Sequence, residues 1–219
     1  MGKKKQIKHK SMERITSDIG RLLEDKEFNS VEEANEYISQ FMGDKQLPTP
    51  TKRTKLHKAQ DLIYDAWEMD DPDIRVKMAI EAIEITKDCA DAYVILAEDQ
   101  AKTWEDARDY YEKGVKAGER ALGKKMFVED RGHFWGMTST RPYMRARKGL
   151  AHSLWQLGKY DEAIGHYKEM LDLNPSDNQG IRYILASCLA EQLRWDELEE
   201  HFKIKEYEDD CAADWVYTK

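Results

Sequence analysis

The sequence predicts an all-α protein, a tetratricopeptide-like α-solenoid in which helical hairpins stack into a right-handed superhelix behind an N-terminal helical pair. Three observations lead to this prediction. Apolar residues recur with the 3.6-residue period of a helix, and a 35-residue shift superimposes one predicted hairpin on the next. Most of the five prolines and 12 glycines lie at predicted helix ends, and strand-like alternation of apolar and polar residues is absent.

The N-terminal part is predicted to contain three segments. A lysine-rich tail over residues 1–10 is expected to be disordered. A helical pair follows over residues 11–42, and its second helix is expected to begin at the capping box that Ser30 forms with Glu33. Two prolines prevent a continuous helix in residues 43–55, which are therefore predicted to be a linker to the repeats.

Tetratricopeptide-like repeats are predicted over the rest of the chain, residues 56–219. Their boundaries are about 56–89, 90–121, 144–177 and 179–212, with a partial repeat over 213–219. The third repeat has the clearest pattern, because Leu150, Ala151, Leu154, Ala163 and Tyr167 match positions of the tetratricopeptide signature. Four copies exceed the roughly three that a stacked array needs to bury a continuous core.

Two earlier repeats have recognisable helix starts. Asp71 followed by Pro72 combines a capping residue with a favourable first helical position. Thr103 with Asp106 is predicted to be a second capping box. The first repeat departs from the pattern at Arg75, which stands where the third repeat has its small alanine.

The segment between the second and third repeats, residues 122–143, is predicted to be an insert. Helix connections in such arrays usually take about 2–8 residues, so a longer segment is usually functional or disordered. Its aromatic residues argue against disorder. We expect His133, Phe134 and Trp135 to pack across the repeats, with contact to a ligand as the alternative.

The composition argues against several classes of protein. A formal net charge of −8 disfavours a dedicated nucleic-acid binder. No apolar run approaches the 18 or so residues of a membrane span, and the start has no signal-peptide pattern, so we expect a cytoplasmic protein. Cys89, Cys188 and Cys211 form no disulfide framework.

Catalytic and metal-binding signals are also absent from the sequence. The six histidines have neither H-x3-H nor H-E-x-x-H spacing, and no cysteine or carboxylate completes a metal site. The chain has no G-x-S-x-G motif and no P-loop. We therefore predict a protein that is not an enzyme and has no metal and no cofactor.

Four segments give a more specific resemblance. They are AYVILAE (92–98), DARDYYEKGVKAGE (106–119), TRPYMRA (140–146) and NPSDNQGIRY (174–183). Together with the insert they resemble bacterial relatives of the suppression-of-tumorigenicity-seven family, over about residues 59–219. The resemblance implies a tetratricopeptide scaffold without known catalytic residues. The family's animal members are membrane-associated, a trait not carried over here because the chain has no candidate span.

A basic and polar cluster at the starts of the third and fourth repeats is the candidate peptide-binding site. The first helices of stacked repeats line a concave face, so equivalent residues of adjacent repeats can converge. Converging guanidinium groups can hold a carboxylate or phosphate through paired hydrogen bonds. The candidate residues are Arg141, Arg145, Lys148, His152, Asn178, Gln179, Arg182 and Tyr183.

An alternative remains open for the equivalent residues Arg147 and Arg182. They can instead pair with acidic residues of neighbouring helices and hold the repeats in register.

The expected function is a scaffold that binds an acidic or C-terminal peptide segment of a protein partner in the concave groove. One alternative is a nucleic-acid or ribosome-associated factor that uses the basic tail, although nucleic acid is an unfavoured partner. The other is an oligomerisation module that pairs through the open C-terminal repeat. No membrane partner is expected.

Overall fold

The structure is a computed structural model that describes residues 12–24, 26, 28–41, 48 and 52–207. Within these residues it contains ten α-helices, one 3-10 helix at Lys205–Tyr207 and no β-strand. The helices are α1 Met12–Glu24, α2 Val31–Ser39, α3 Lys55–Ala66, α4 Pro72–Ile85, α5 Ala90–Asp99, α6 Trp104–Glu129, α7 Arg141–Gln156, α8 Tyr160–Leu173, α9 Ile181–Glu191 and α10 Trp195–Phe202. The all-α prediction is confirmed.

Three of the predicted segments fall largely or wholly outside this part of the chain. They are the tail over residues 1–10, most of the linker over residues 43–55, and the partial repeat over residues 213–219.

Local sequence signals fix where two of the helices begin. Thr103 accepts a hydrogen bond from the backbone N–H of Asp106 at 3.1 Å, which caps α6. Asp71 accepts from the N–H of Asp73 at 2.9 Å, and Pro72 is the first residue of α4. Both predicted starts are confirmed, because each needs only side chains within one helical turn.

Successive helices from α3 to α10 pack against each other, with further contacts from α3 to α5 and from α5 to α7. The contacts between alternate helices bring α3, α5 and α7 side by side. Small residues permit the close approach, since Ala59, Ala92 and Ala151 are fully buried. Buried side chains of α5 to α10 form one core cluster, and buried side chains of α3, α4 and α5 form a second.

Arg75 is accommodated in α4 by an ion pair with the end of α5. Its guanidinium donates to the two carboxylate oxygens of Asp99 at 2.7 and 2.6 Å and to the carbonyl of Met69 at 3.1 Å. This bidentate pair ties α4 to α5 at a position where the third repeat packs an alanine.

Helix α6 extends into residues 122–143, with one break at Gly123, whose φ of 71° is left-handed. After it, the chain folds back onto α7 and α8. Phe134 is fully buried, 5.0 Å from the ring of Phe127, and its N–H donates to the carbonyl of Leu173 at 3.1 Å. His133 is exposed and Trp135 is half-buried. Of the three residues predicted to pack across the repeats, Phe134 is therefore the one that is fully buried in the core.

The N-terminal helix α1 lies against α3 through two ion pairs. Arg14 donates to Asp65 at 2.6 Å, and Arg21 donates to Asp61 at 2.7 Å. The higher-numbered residue of α1 meets the lower-numbered residue of α3, so the two helices run antiparallel. Helix α1 consequently extends along the same side of the molecule as α3, where it also reaches α7.

Candidate functional site

The guanidinium of Arg145 joins three helices. It donates to the two oxygens of Asp91 on α5 at 2.8 and 2.6 Å. It also donates to the two oxygens of Glu13 on α1 at 3.0 and 2.9 Å. The indole of Trp67, just after α3, faces the guanidinium at 4.9 Å from the ring centroid. A planar fork of five N–H donors suits two carboxylates at once.

The carboxylate of Asp91 explains why an arginine is needed at this point. Asp91 is 0% exposed, and its second partner is the side-chain amide of Gln60, which donates at 2.8 Å. A buried carboxylate is costly unless it is paired and hydrogen-bonded. Burial acts to lower the pKa of Arg145, but Asp91 and Glu13 outweigh burial and raise that pKa above its ordinary value. The arginine therefore stays charged.

Glu13 receives additional hydrogen bonds around the same centre. Arg141 donates to it at 3.5 Å, and the hydroxyl of Tyr64 donates to it at 3.4 Å. Burial acts to raise the pKa of Glu13, but the hydrogen bonds and charges of Arg145 and Arg141 outweigh it and lower that pKa. The arginine pair, Arg141 and Arg145, thus holds a carboxylate of the chain's own first helix.

The insert helps to position Arg141. The Nε of this arginine donates to the carbonyl of Trp135 at 2.9 Å, and its guanidinium lies 5.4 Å from the Trp135 ring centroid. The aromatic residue thereby orients the arginine toward α1.

A second group of the predicted site residues lies around the start of α9. Lys148 donates to the carbonyl of Gln179 at 3.4 Å. Arg182 donates to Asp177 at 2.8 Å and to the hydroxyl of Tyr183 at 2.6 Å. The carboxylate of Asp177 also accepts from the backbone N–H groups that open α9, so Arg182 reinforces a helix cap.

The two remaining predicted residues make no contact with the arginine pair. Asn178 is exposed beside the start of α9. His152 is exposed on α7 and meets the ring of Trp104 edge-on, with 5.2 Å between ring centroids. The contacts of the eight predicted residues therefore fall in three places, and the carboxylate site itself consists of Arg141 and Arg145.

The equivalent residues Arg147 and Arg182 bind different acids. Arg147 is buried and donates to Glu169 of α8 and to the hydroxyl of Tyr143. Arg182 pairs with Asp177. The ion pair of Arg147 therefore favours the alternative in which it holds neighbouring helices in register, whereas Arg182 pairs within the cap of its own helix.

Glu13 and Asp91 were missed by the sequence reasoning. Asp91 had a detectable signal, since it is a lone acid among apolar residues at the start of α5. Glu13 had no such signal, because α1 follows no repeat pattern from which its position relative to α7 could be predicted. A cavity of about 470 Å³ lies beside them beneath α1, lined in part by Ser17, Gln60 and Tyr64.

The described residues offer no metal or thiol chemistry. No group of three or more His, Cys, Asp or Glu in this part of the chain could hold a metal ion. Burial raises the pKa of the Cys89 and Cys188 thiols to about 12, which keeps both protonated and unreactive. None of the helices described above is long and apolar enough to cross a bilayer.

The fold and the arginine pair define an all-helical protein in which long-range ion pairs join the N-terminal helix to later helices. A sequence model of the family described as ST7 protein matches residues 35–185. The match covers more than half of the chain, and the chain therefore belongs to the ST7 protein family. The predicted family resemblance is confirmed at this level.

The relatives found are animal proteins. A Suppressor of tumorigenicity 7 protein-like from Bos taurus is 41% identical over 121 residues, which are 53% of this chain and 21% of the relative. Another of that name from Gallus gallus is 42% identical over 69 residues, or 32% of this chain and 12% of the relative. A Protein ST7 homolog from Drosophila melanogaster is 29% identical over 119 residues, or 53% and 22%.

The chain thus spans between 12% and 22% of the length of these relatives. The expectation of bacterial relatives is corrected, because these relatives are animal proteins.

Proposed function

We propose that the protein is an interaction scaffold whose Arg141–Arg145 pair binds a carboxylate of an acidic helical segment of a protein partner. The observation that carries the proposal is the contact of Glu13 with this pair. A helix of the chain itself presents an acid to Arg145 through two hydrogen bonds, with Arg141 beside them. Charge-assisted, bidentate bonds of this kind give both strength and orientation.

The scaffold in this proposal is a right-handed array of tetratricopeptide-like hairpins. The lateral contacts of α3, α5 and α7 support it, because they are the contacts that first helices of stacked repeats make. Buried alanines at equivalent positions of two hairpins, Ala151 and Ala186, also support it. The arginine pair would then lie on the concave face.

In this scheme α1 is an internal competitor for the groove. A partner helix has to displace Glu13 and then supply its own carboxylate to Arg145. Because α1 is part of the same chain, its effective concentration at the groove is of millimolar order. The partner therefore binds tightly only when it offers more contacts than α1, or when the hold of Glu13 is weakened.

The test uses the full chain and a fluorescent peptide of residues 10–26, KSMERITSDIGRLLEDK, as the probe. In the Glu13→Lys variant the internal helix repels Arg145 and leaves the groove to the peptide. We expect the peptide to bind this variant about tenfold or more tightly than the wild type, measured by fluorescence anisotropy. A peptide with Gln in place of Glu13 should bind more weakly.

Arginine substitutions in the Glu13→Lys background identify the binding groups. Arg141→Ala and Arg145→Lys should each weaken the peptide, the second because lysine keeps the charge but loses the planar pair of donors. Arg120→Ala is the matched control, since Arg120 is exposed and pairs with Asp88 elsewhere. Equal binding by all three variants, or no binding to the Glu13→Lys chain, would refute the proposal.

The two other functions considered from the sequence have no comparable support. Nucleic-acid binding depends on the tail over residues 1–10 together with the lysines of residues 52–58, and oligomerisation depends on the open C-terminal repeat with residues 213–219. The tail and residues 213–219 lie outside the described residues.

A further inference from the structure

A second pocket lies where the end of α5 and the start of α6 meet the middle of α7. It has a volume of about 430 Å³. Four side chains give it its chemistry: a carboxylate from α5, two aromatic rings from α6 and an imidazole from α7. They are Glu98, Trp104, Tyr111 and His152.

The register of the helices explains why these groups meet. Glu98 follows Asp91 by seven residues on α5, and His152 follows Arg145 by seven residues on α7. Seven residues are two helical turns, about 10.5 Å. The ion pair of Asp91 with Arg145 aligns the two helices, so the pocket lies about two turns beyond that pair.

Both aromatic residues come from α6, and they too are seven residues apart. Tyr111 rests on bare backbone of α7, because a Cβ at Gly149 would lie 2.1 Å from its ring. Trp104 stands at the mouth, 44% exposed, with its ring 5.2 Å from that of His152. Both rings therefore line the pocket.

The carboxylate of Glu98 differs from that of Asp91, which lies two turns earlier on α5. Asp91 is neutralised by Arg145, whereas Glu98 has neither a hydrogen bond nor an ion pair with any described side chain. Desolvation by the surrounding protein raises the pKa of the Glu98 carboxyl, and the charges of Asp99 and Asp91 raise it further. The charges of Arg145 and Arg75 act in the opposite direction without reversing the shift. The pocket thus combines aromatic rings with an acid that makes no direct ion pair within the described residues.

We propose that this pocket binds an alkylammonium group, a primary or methylated lysine side chain of a protein partner. A cation near aromatic faces is attracted by the ring quadrupoles, and a carboxylate at the rim neutralises it. The pocket selects the opposite charge from the arginine pair and shares no residue with it, although the charge of Arg145 acts on Glu98.

Lys102 also lies at the rim of the pocket. It is exposed, and its ammonium makes no ion pair with Glu98. Its positive charge repels an incoming cation, so Lys102→Gln should strengthen binding of an ammonium probe.

The experiment uses the full chain and three small probes: N-acetyl-lysinamide, its trimethylated form, and N-acetyl-norleucinamide as an uncharged isostere. Binding is followed by NMR through the indole N–H signal of Trp104, assigned with Trp104→Phe. We expect both cations to shift this signal saturably and the norleucine probe to leave it unchanged. The ratio of the two cation affinities tells whether the pocket prefers the primary or the methylated ammonium.

Glu98→Gln should weaken both cations about tenfold, measured by the same titration. Glu98 and Trp104 are exposed, so their variants should remain folded, which circular dichroism checks. Trp195→Phe, at another exposed tryptophan, is the matched control and should bind as the wild type does. Equal binding of lysine and norleucine probes, or an unchanged affinity in Glu98→Gln, would overturn the proposal.

Discussion

Glu13 and Arg145 are 132 residues apart in the sequence, and two hydrogen bonds of 3.0 and 2.9 Å join them in the fold. The same guanidinium holds the buried Asp91. A single side chain of α7 therefore binds both α5 and α1. These hydrogen bonds attach the N-terminal helix α1 to helices α5 and α7.

Removing the guanidinium should destabilise the protein strongly. Arg145→Ala leaves Asp91 buried without its cation, a change that typically costs about 3–5 kcal/mol. Urea denaturation followed by circular dichroism measures the loss. Arg120→Ala, at an exposed pair, should cost less than about 1 kcal/mol, and similar losses in the two variants would contradict this account.

The contribution of Glu13 should depend on pH in a defined direction. Its pKa is lowered in the folded protein from an ordinary value of 4.5. The unfolded chain therefore binds the proton first as pH falls, and the stabilisation present above pH 4.5 is lost through the folded pKa. The stability difference between wild type and Glu13→Gln should shrink below pH 4.5 in urea titrations.

The exposed Glu105→Gln provides the control for that titration. Its difference from the wild type should stay small at every pH. A difference for Glu13→Gln that is constant from pH 7 to pH 3 would show that the carboxylate is not held by the arginines.

Two glycines inside helices should respond oppositely to alanine. Gly149→Ala places a Cβ 2.1 Å from the Tyr111 ring, and such overpacking costs about 1–3 kcal/mol. Gly165→Ala in α8 meets nothing within 4 Å and should gain about 0.5–1 kcal/mol from helix propensity. Thermal denaturation of the pair separates the two effects, and a stabilised Gly149→Ala would show that Tyr111 does not rest on α7.

The anchor after α6 should be a large contributor to stability. Phe134 is 0% exposed, and Phe134→Ala is expected to cost about 3–5 kcal/mol. Val128→Ala, at a side chain that is 79% exposed, should change stability by less than about 0.5 kcal/mol. Guanidinium denaturation of both variants gives the comparison; a mild effect of Phe134→Ala would mean that the segment packs loosely.

The helices were predictable because their signals are local. Capping at Thr103 and the Asp71–Pro72 start require only residues within one turn. Helix α7 begins at Arg141, three residues before the predicted repeat, because Pro142 is favourable in a first turn. The helical segment after residue 123 was not predicted, and Gly123, whose backbone is non-helical, separates it from the first part of α6.

The candidate site was predictable only in part. Arg141 and Arg145 were selected as carboxylate binders, and they do contact a carboxylate, Glu13. His152 was grouped with them, but its contact is with Trp104, since two further turns of α7 carry it to the end of α5. The spacing of residues along α7 predicts which of its side chains share a face and how far apart they lie. It does not predict which other helix each side chain contacts.

The sequence by itself determined the helical class, the position of most helices and the family to which the chain belongs. These follow from periodicity, caps and motifs, which act over a few residues. The tertiary structure alone decided that α1 supplies the acid for Arg145 and that Asp91 is fully buried beneath it. Pairing of this kind depends on how distant helices are placed, because a charge buried by one helix must be satisfied by whichever partner packing brings within reach.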